Sequence, residues 1–541
     1  MKRYLMATTA LAGGLLLSSA ADAASVEQRL QQLENQMQAQ QRLIDAHQAE
    51  IRSLRAQVAG APAAAPAPDL AATVQAQQQD IAQLKEQAQQ QTLRSADQPK
   101  LGFTLGRPTI TSPDGRFTFS PRVVVQGDYA SYNQKPAGAL ANDFRRGSVG
   151  GGRENTAARD LSDGAFFRRA RLGFEGTLNR DFGYRFVGEF GGSGTELQGR
   201  INDAYVNYTG FAPFTIQAGA YSPPANMDDG TGVEDTLMLE RATPAELSRA
   251  LAGADGRLAA GVRFATQRWM GALTFTGRTV TDAEVFDSQA AVVGRFGHLL
   301  ATGSDYKVHL GASGSFVFSA ADQGADTTGA RSPLRFRDRP ELRVDSTRLV
   351  DTGNIDADGA YVAGVEFGAN WKNFYLQGEH FWYGIDRRQP TALPDPKFTG
   401  WYVQGSWVIT GESRRYSMAN GSFAAPRPLA PFNGGGGWGA WELALRYSQT
   451  DLNYHQGVIG APPPTGGVRG GEQSILTVGL NWFMSPNLRV SFNYLHVDVD
   501  RLNPAGPGDT APFGAAPATP PVGVEIGQSY DAFAVRTQFG F

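Results

Sequence analysis

The sequence predicts an all-β fold: a 16-stranded antiparallel transmembrane β-barrel preceded by an α-helical coiled-coil segment. Three observations point there. Beyond about Leu101 the chain is a succession of short apolar–polar alternations, about sixteen in all, broken by Gly, Asn, Asp and Pro. The connections alternate in length, with short ones such as Arg180–Phe182 and Ser485–Asn487 against long ones such as Ser222–Arg257 and Tyr416–Gly437. The chain also opens on an export-type segment, and no later stretch approaches the roughly 20 uninterrupted apolar residues of a membrane helix.

Composition sets the outer limits. At 541 residues the chain exceeds one ordinary domain, and 65 glycines with 10% aromatic residues suit many strands joined by turns. Cysteine is absent, which excludes disulfides and thiol chemistry. A formal charge of −3 supplies no net basic field for nucleic acid.

Residues 1–23 read as a signal peptide. Lys2 and Arg3 precede an apolar run to about Leu17, and Ala21-Asp22-Ala23 forms a cleavage box. Over residues 24–58, Leu30, Met37, Ile44, Ile51 and Val58 recur every seven residues beside a second seam of Val26, Leu33, Gln40, His47 and Leu54. This is a coiled coil whose polar Gln40 and His47 set its register. A Pro/Ala linker at 59–69 breaks the helix, and a weaker repeat over 70–98 marks a second, short coiled-coil helix. Rich in Gln, these helices bury little alone and are expected to associate between copies of the chain. The first would extend on the order of 50 Å.

The strand Phe166–Leu178 displays the pattern of the body. Ala170, Leu172, Phe174, Gly176 and Leu178 share one face; Arg169, Arg171, Glu175 and Thr177 share the other. In a membrane barrel the apolar face meets lipid and the arginines line an aqueous lumen. Tyr361/Val365/Phe367/Trp371, Trp441/Leu443/Leu445/Tyr447 and Leu476/Val478/Leu480/Trp482 repeat the outward face. In the last strand Tyr530, Ala532 and Ala534 alternate with Phe533, Val535, Phe539 and Phe541, a pattern similar to the sorting strand of bacterial outer-membrane proteins.

Several stretches across residues 117–541 together resemble the phosphate-selective porin O and P family: Phe167–Arg171, Asp203–Tyr205 with Tyr208–Phe211, Arg339–Arg343 running on to Val350–Gly353, Thr410–Tyr416, Gly439–Ser448 and Val478–Phe483. The resemblance implies a homotrimer of 16-stranded barrels, formed by residues 100–541 in the bacterial outer membrane, with the coiled coil in the periplasm. It implies an arginine ladder at Arg335, Arg337, Arg339 and Arg343, constriction arginines at Arg122, Arg168, Arg169 and Arg241, and a constriction acid at Glu189. One departure matters: the long loop Ser222–Arg257 carries Asp228, Asp229, Glu234 and Asp235, and Asp229 falls near where phosphate-preferring members place a lysine. That weakens the expectation of phosphate selectivity.

The expected activity is passive diffusion of small anions, phosphate or polyphosphate-like oxyanions, along the lumenal arginines. Guanidinium groups stay charged and offer forked donors that replace lost hydration. Several moderate sites pass an ion where one deep well would trap it. Two alternatives stand beside this. One is a weakly selective general-diffusion or organic-solute porin, favoured by the acidic loop. The other is a structural tether joining outer membrane to peptidoglycan through the coiled coil. No G-x-S-x-G, H-E-x-x-H or Walker lysine occurs, and the six histidines are isolated, so no enzyme, metal site or cofactor is expected. Gly434-x-Gly436-x-x-Gly439 follows a Pro-rich loop and precedes an alternating strand, which excludes a dinucleotide site.

Overall fold

In the computed structural model the chain divides into two units, Met1–Gln98 and Pro99–Phe541. The structure describes residues 98–541 apart from 105, 136–160, 193–198, 282–286, 323–332, 389–391, 505–521 and 524, together with 75–87 except 77 and seven residues between 42 and 56. The expected signal peptide and Pro/Ala linker lie outside the described residues. The seven residues between 42 and 56 and the run 78–87 are helical and fall within the two segments expected as helices.

Among the described residues sixteen strands close the barrel of the second unit, and a hairpin of Lys100–Thr104 and Arg107–Thr111 joins it at Thr118 and Phe119. The first eight are β1 (Thr118–Gln134), β2 (Gly164–Leu178), β3 (Phe182–Glu189), β4 (Arg200–Tyr208), β5 (Phe214–Tyr221), β6 (Arg257–Ala265), β7 (Trp269–Thr279) and β8 (Ala290–Thr302). They are followed by β9 (Tyr306–Ser319), β10 (Ala357–Trp371), β11 (Phe374–Arg387), β12 (Lys397–Val408), β13 (Ala440–Tyr454), β14 (Val468–Phe483), β15 (Leu488–Asp500) and β16 (Gln528–Gly540). Each pairs antiparallel with the next. β16 returns to β1 in register from Tyr530↔Gln134 to Gly540↔Val124, so the sheet closes and no edge is left exposed.

Side-chain alternation sorts this wall into two surfaces. Leu172, Phe174, Val365, Leu445 and Phe533 are exposed on the outside, as a lipid-facing band requires. At the end where the turns are short, Trp371, Phe374 and Trp407 stack in a row at 6.2 Å spacing and Trp441 stacks on Trp482 at 5.1 Å, forming an aromatic girdle.

Residues 179–181, 303–305 and 484–487 make the short turns, and 222–256 is a long connection at the opposite end. The 409–439 segment corrects the sequence reading, which grouped Tyr416–Gly437 with the long loops. It joins β12 to β13 at the short-turn end and folds inward as a hairpin, Arg415–Ser417 against Ser422–Ala424. Phe423 is fully buried there, 5.1 Å from the Tyr375 ring and clustered with Met227. Loop length alone cannot distinguish an external loop from a plug.

The 222–256 connection also turns inward. It holds a short helix α1 (Met227–Gly230), capped by the Asn226 side chain accepting from Asp229 N at 2.8 Å, and α2 (Thr243–Ala252), which begins with Pro244 where a missing N–H costs nothing. Leu239, Ala245 and Leu247 of this connection, with Phe336 and Leu342 of the 320–356 connection, share one apolar cluster with Phe381, Tyr383, Ile385, Phe398 and Tyr402 on the inner wall. Tyr383 Oη donates to Pro244 O at 2.7 Å. Loops rather than water thus cover the interior of β10–β12, where this apolar cluster lies beside the buried polar side chains Glu366, Gln377, Glu379 and Gln404. On β2–β6, by contrast, Glu175, Arg185, Tyr205 and Arg263 point inward and keep contact with solvent.

Gly219 on β5 shows how tightly the wall is built. Its φ is +135°, and an added Cβ would lie 2.3 Å from Ala204 O and 2.6 Å from Tyr205 Cα. Gly219→Ala should therefore destabilise the barrel by about 1–3 kcal/mol. A lower temperature for heat-induced loss of the folded band on a gel would register this, and an unchanged midpoint would count against it.

Candidate functional site

The inner end of β2 breaks the alternation expected for it. Gln126 of β1 pairs with Arg169 and Gly127 pairs with Phe167, leaving Arg168 as the extra residue of a β-bulge. Phe167 faces outward, whereas Arg168 and Arg169 both turn inward and are nearly buried. A bulge is what allows two consecutive arginines to enter the lumen together.

Both meet Glu240, in the segment between α1 and α2. Arg168 grips it with Nε at 2.7 Å and Nη2 at 3.1 Å, and Arg169 lies 4.0 Å away. Arg536 of β16 donates to the same carboxylate at 2.6 Å while holding Asp128 through two bonds of 2.7 Å. Arg343 of the ladder reaches Glu240 at 3.4 Å and Glu246 at 3.0 Å. Beside this node, Arg171 pairs with Glu189 at 2.7 Å and Asp255 at 3.0 Å, and Arg249 pairs with Asp229 and Asp255, each at 2.7 Å. Seven guanidiniums (Arg168, Arg169, Arg171, Arg241, Arg249, Arg343, Arg536) are thus met by at least as many carboxylates: Asp128, Glu189, Asp228, Asp229, Glu240, Glu246 and Asp255.

Burial alone would raise the Glu240 carboxyl, but Arg168, Arg536, Arg169 and Arg343 hold it well below the ordinary carboxylate range. Burial is likewise outweighed at Asp255 by Arg249 and Arg171. With folded-state values below the unfolded ones, the stabilisation is in force above the usual carboxylate pKa of about 4 and is lost only as pH falls through the depressed values. Both groups stay charged near neutrality.

The other expected residues divide. Arg241 is buried and donates to Asp228 O and Thr231 O, each at 3.2 Å, bracing its own loop. Asp228 accepts from Ala242 N at 3.3 Å, and Asp229 serves Arg249. Glu189 is fully buried and also accepts from Ala170 N and Gly191 N, tying β2 to the end of β3. Arg122 pairs with Glu234 at 2.7 Å near the short-turn end. It helps line a cavity of about 440 Å³ with Arg107, Arg415 and Arg427.

The ladder, expected to place Arg335, Arg337 and Arg339 on one side, splits. Arg335 and Arg337 are exposed, Arg335 in a two-pronged pair with Asp351. Arg339 is only 2% exposed. The extended run ends there because Pro340 follows and Glu341 takes φ +54°, turning the chain into the interior. Glu341 then accepts from Arg446, Ser448 and Thr243 N, clamping the 320–356 connection to β13 and α2.

Sequence reasoning missed Glu240, Asp128, Arg536, Arg185 and Arg263. Three of these were within reach of strand parity: Arg536 follows outward Val535, Arg185 sits between Tyr184 and Phe186, and Arg263 sits between Val262 and Phe264. Glu240 lies in a loop, where no period exists to place it.

A closed 16-stranded barrel with a lipid-facing apolar band, an aromatic girdle and an inward-folded, arginine-rich interior defines an outer-membrane porin. The profile of the family described as phosphate-selective porin O and P matches residues 141–516. The chain belongs to that family. It is 27% identical over 367 residues to an uncharacterized protein of Caulobacter vibrioides, covering 65% of this chain and 66% of that one, just under two thirds of its length. It is 23% identical over 354 residues to Porin O of Pseudomonas aeruginosa, covering 63% of this chain and 78% of Porin O. Among solved structures, the anion-selective porin from Comamonas acidovorans superposes with a TM-score of 0.44 at 12% identity, covering 79% of this chain and all of that one. The outer membrane channel DcaP of Acinetobacter baumannii gives a TM-score of 0.41 at 12% identity, with 79% and 97% covered.

A second buried node fixes the inward hairpin. Arg295 of β8 pairs with Glu366 of β10 at 2.9 Å, both side chains fully buried, and donates to Asn420 O at 2.6 Å and Gly421 O at 2.7 Å. His309 Nε2 lies 2.8 Å from the same carboxylate. Arg295→Gln strands that carboxylate and releases the hairpin, at a cost of about 3–5 kcal/mol. The expected readings are a lower unfolding midpoint and a larger single-channel conductance; unchanged values of both would contradict the role.

Proposed function

We propose that this porin passes small anions by passive diffusion, with weak rather than tight selectivity. One observation carries the reading: Arg263, inward on β6, is exposed and has no hydrogen-bond or ion-pair partner among the described residues, whereas Arg168, Arg171 and Arg536 are matched by carboxylates. Arg263 and the partly exposed Arg185 stand on the wall that the inward loops leave uncovered. Arg335 and Arg337 on the 320–356 connection and Arg122 near the short turns extend the basic file. Each replaces part of an anion's hydration through forked donors, and their carboxylate neighbours Glu175, Asp203, Glu234 and Asp351 keep any one well shallow enough for release. Phosphate-like oxyanions suit the same donors, and the charge-matched interior argues for weak discrimination among them.

A homotrimer in the outer membrane, with residues 24–58 and 70–98 as a self-associating prefix in the periplasm, completes the proposal. In planar bilayers under a KCl gradient the reversal potential is expected to carry the sign of anion preference; a cation-preferring channel would sink the reading. Arg263→Gln should lower the anion:cation permeability ratio roughly tenfold, since a unit charge about 6 Å from an ion in a water-like dielectric favours an anion and disfavours a cation by on the order of 0.7 kcal/mol each. Residues 100–541 without the prefix should conduct as the full chain does, and a lost or altered conductance would assign the prefix a part in permeation.

A further inference from the structure

The node around Glu240 is built like an anion site. Four guanidiniums from three different parts of the chain converge on one carboxylate: Arg168 and Arg169 from the bulge of β2, Arg536 from β16 and Arg343 from the 320–356 connection. Arg168 presents its fork to both oxygens, the geometry that serves carboxylate and phosphate alike. The donors are not exhausted. Arg169 is 5% exposed, spends one nitrogen on Gln126 at 2.6 Å, and leaves its Nε buried without a hydrogen-bond partner. Such a group costs free energy unless an acceptor reaches it. Besides Glu240, Asp128 is held by Arg536 and Glu246 by Arg343.

We infer that Glu240 is a tethered counter-anion: its carboxylate occupies an oxyanion-binding site formed by Arg168, Arg169, Arg343 and Arg536, and a permeating oxyanion must compete with it. This rests on the reading of the barrel as a channel for small anions and adds the residue that sets how strongly the constriction holds them. A free oxyanion entering the node gains the same forked donors that Glu240 now uses, but against a competitor fixed to the loop at a very high local concentration. Selectivity is weak because the site is already filled, not because it is missing.

The test uses the full-length porin in planar bilayers, with inorganic phosphate added as a blocker of the chloride current. Glu240→Gln keeps the volume and removes the charge; it should lower the half-blocking phosphate concentration at least tenfold, the change produced by about 1.4 kcal/mol of binding free energy, and raise the anion:cation permeability ratio. A neutral side chain among four buried guanidiniums can prevent assembly, so Glu240→Asp is measured alongside. It keeps the charge, withdraws the carboxylate by one methylene, and should give a smaller gain in the same direction. The charge-matched double variant Glu240→Gln/Arg168→Gln should lose most of the gain. Phosphate block equal to wild type in the assembled single variants overturns the inference, as does a gain that survives unchanged in the double variant. A wild-type channel that prefers cations, combined with strong phosphate block of E240Q, would sink the anion-channel reading and leave this inference standing.

Discussion

The structure depends on one constraint: a guanidinium enclosed where loops have displaced water must find a carboxylate or a carbonyl. The barrel places most of these arginines inward by strand parity, and the 222–256, 320–356 and 409–439 connections then fold over them. Every deep arginine consequently has a chain-supplied acceptor, such as Glu240 for Arg168, Glu442 for Arg414 and Glu366 for Arg295. Replacing such pairs by apolar residues is often neutral for stability, while breaking one is costly, so their presence fixes geometry more than it adds strength. Here the geometry fixed is the position of the inward loops relative to the wall.

That constraint divides the lumen into two halves. Along β10–β12 the inward loops bring Leu247, Phe336 and Leu342 against Phe381, Tyr383 and Ile385, and the wall is covered, with Glu366 and Glu379 buried in it. On β2 the 222–256 connection covers Arg168 and Arg171, while on β2–β6 Glu175, Arg185 and Arg263 stay in contact with solvent. A guanidinium beside water offers charge without the deep well that a dry one would create.

How much of this was legible follows from where a period exists. Alternation marked out the strands, and it placed Leu172 and Phe174 outside and Arg171 inside, because a one-residue slip would have turned the oily face inward. It failed at Arg168, where a bulge adds one residue and reverses the parity, although two consecutive arginines after Phe166-Phe167 were a visible hint. It also failed at Arg339, because Pro340 and the left-handed Glu341 end the extended run, and in the 409–439 segment, where length carried no information about direction. Glu240 had no signal at all: an acidic residue in a loop acquires meaning only when three distant parts of the chain converge on it.

Asp228 and Asp229 illustrate the same limit from the other side. They drew attention as acids opposed to the arginine file, yet they organise the loop that bears them, through Ala242 N, Arg249 and the cap at Asn226. Glu240, further along the same loop, is met by four arginines. Such an acid differs in physical meaning from one opposed to the arginines through water. An acid scattered along a pore merely dilutes a positive field, and ions feel it through water. An acid held at 2.6–3.1 Å by forked donors instead fills the position an ion would take. The first effect is screened away by salt within about 10 Å at 0.1 M. The second persists at any ionic strength, because it is occupancy rather than potential, and on the inference drawn above the loop rather than the net charge of the barrel governs what the constriction can hold.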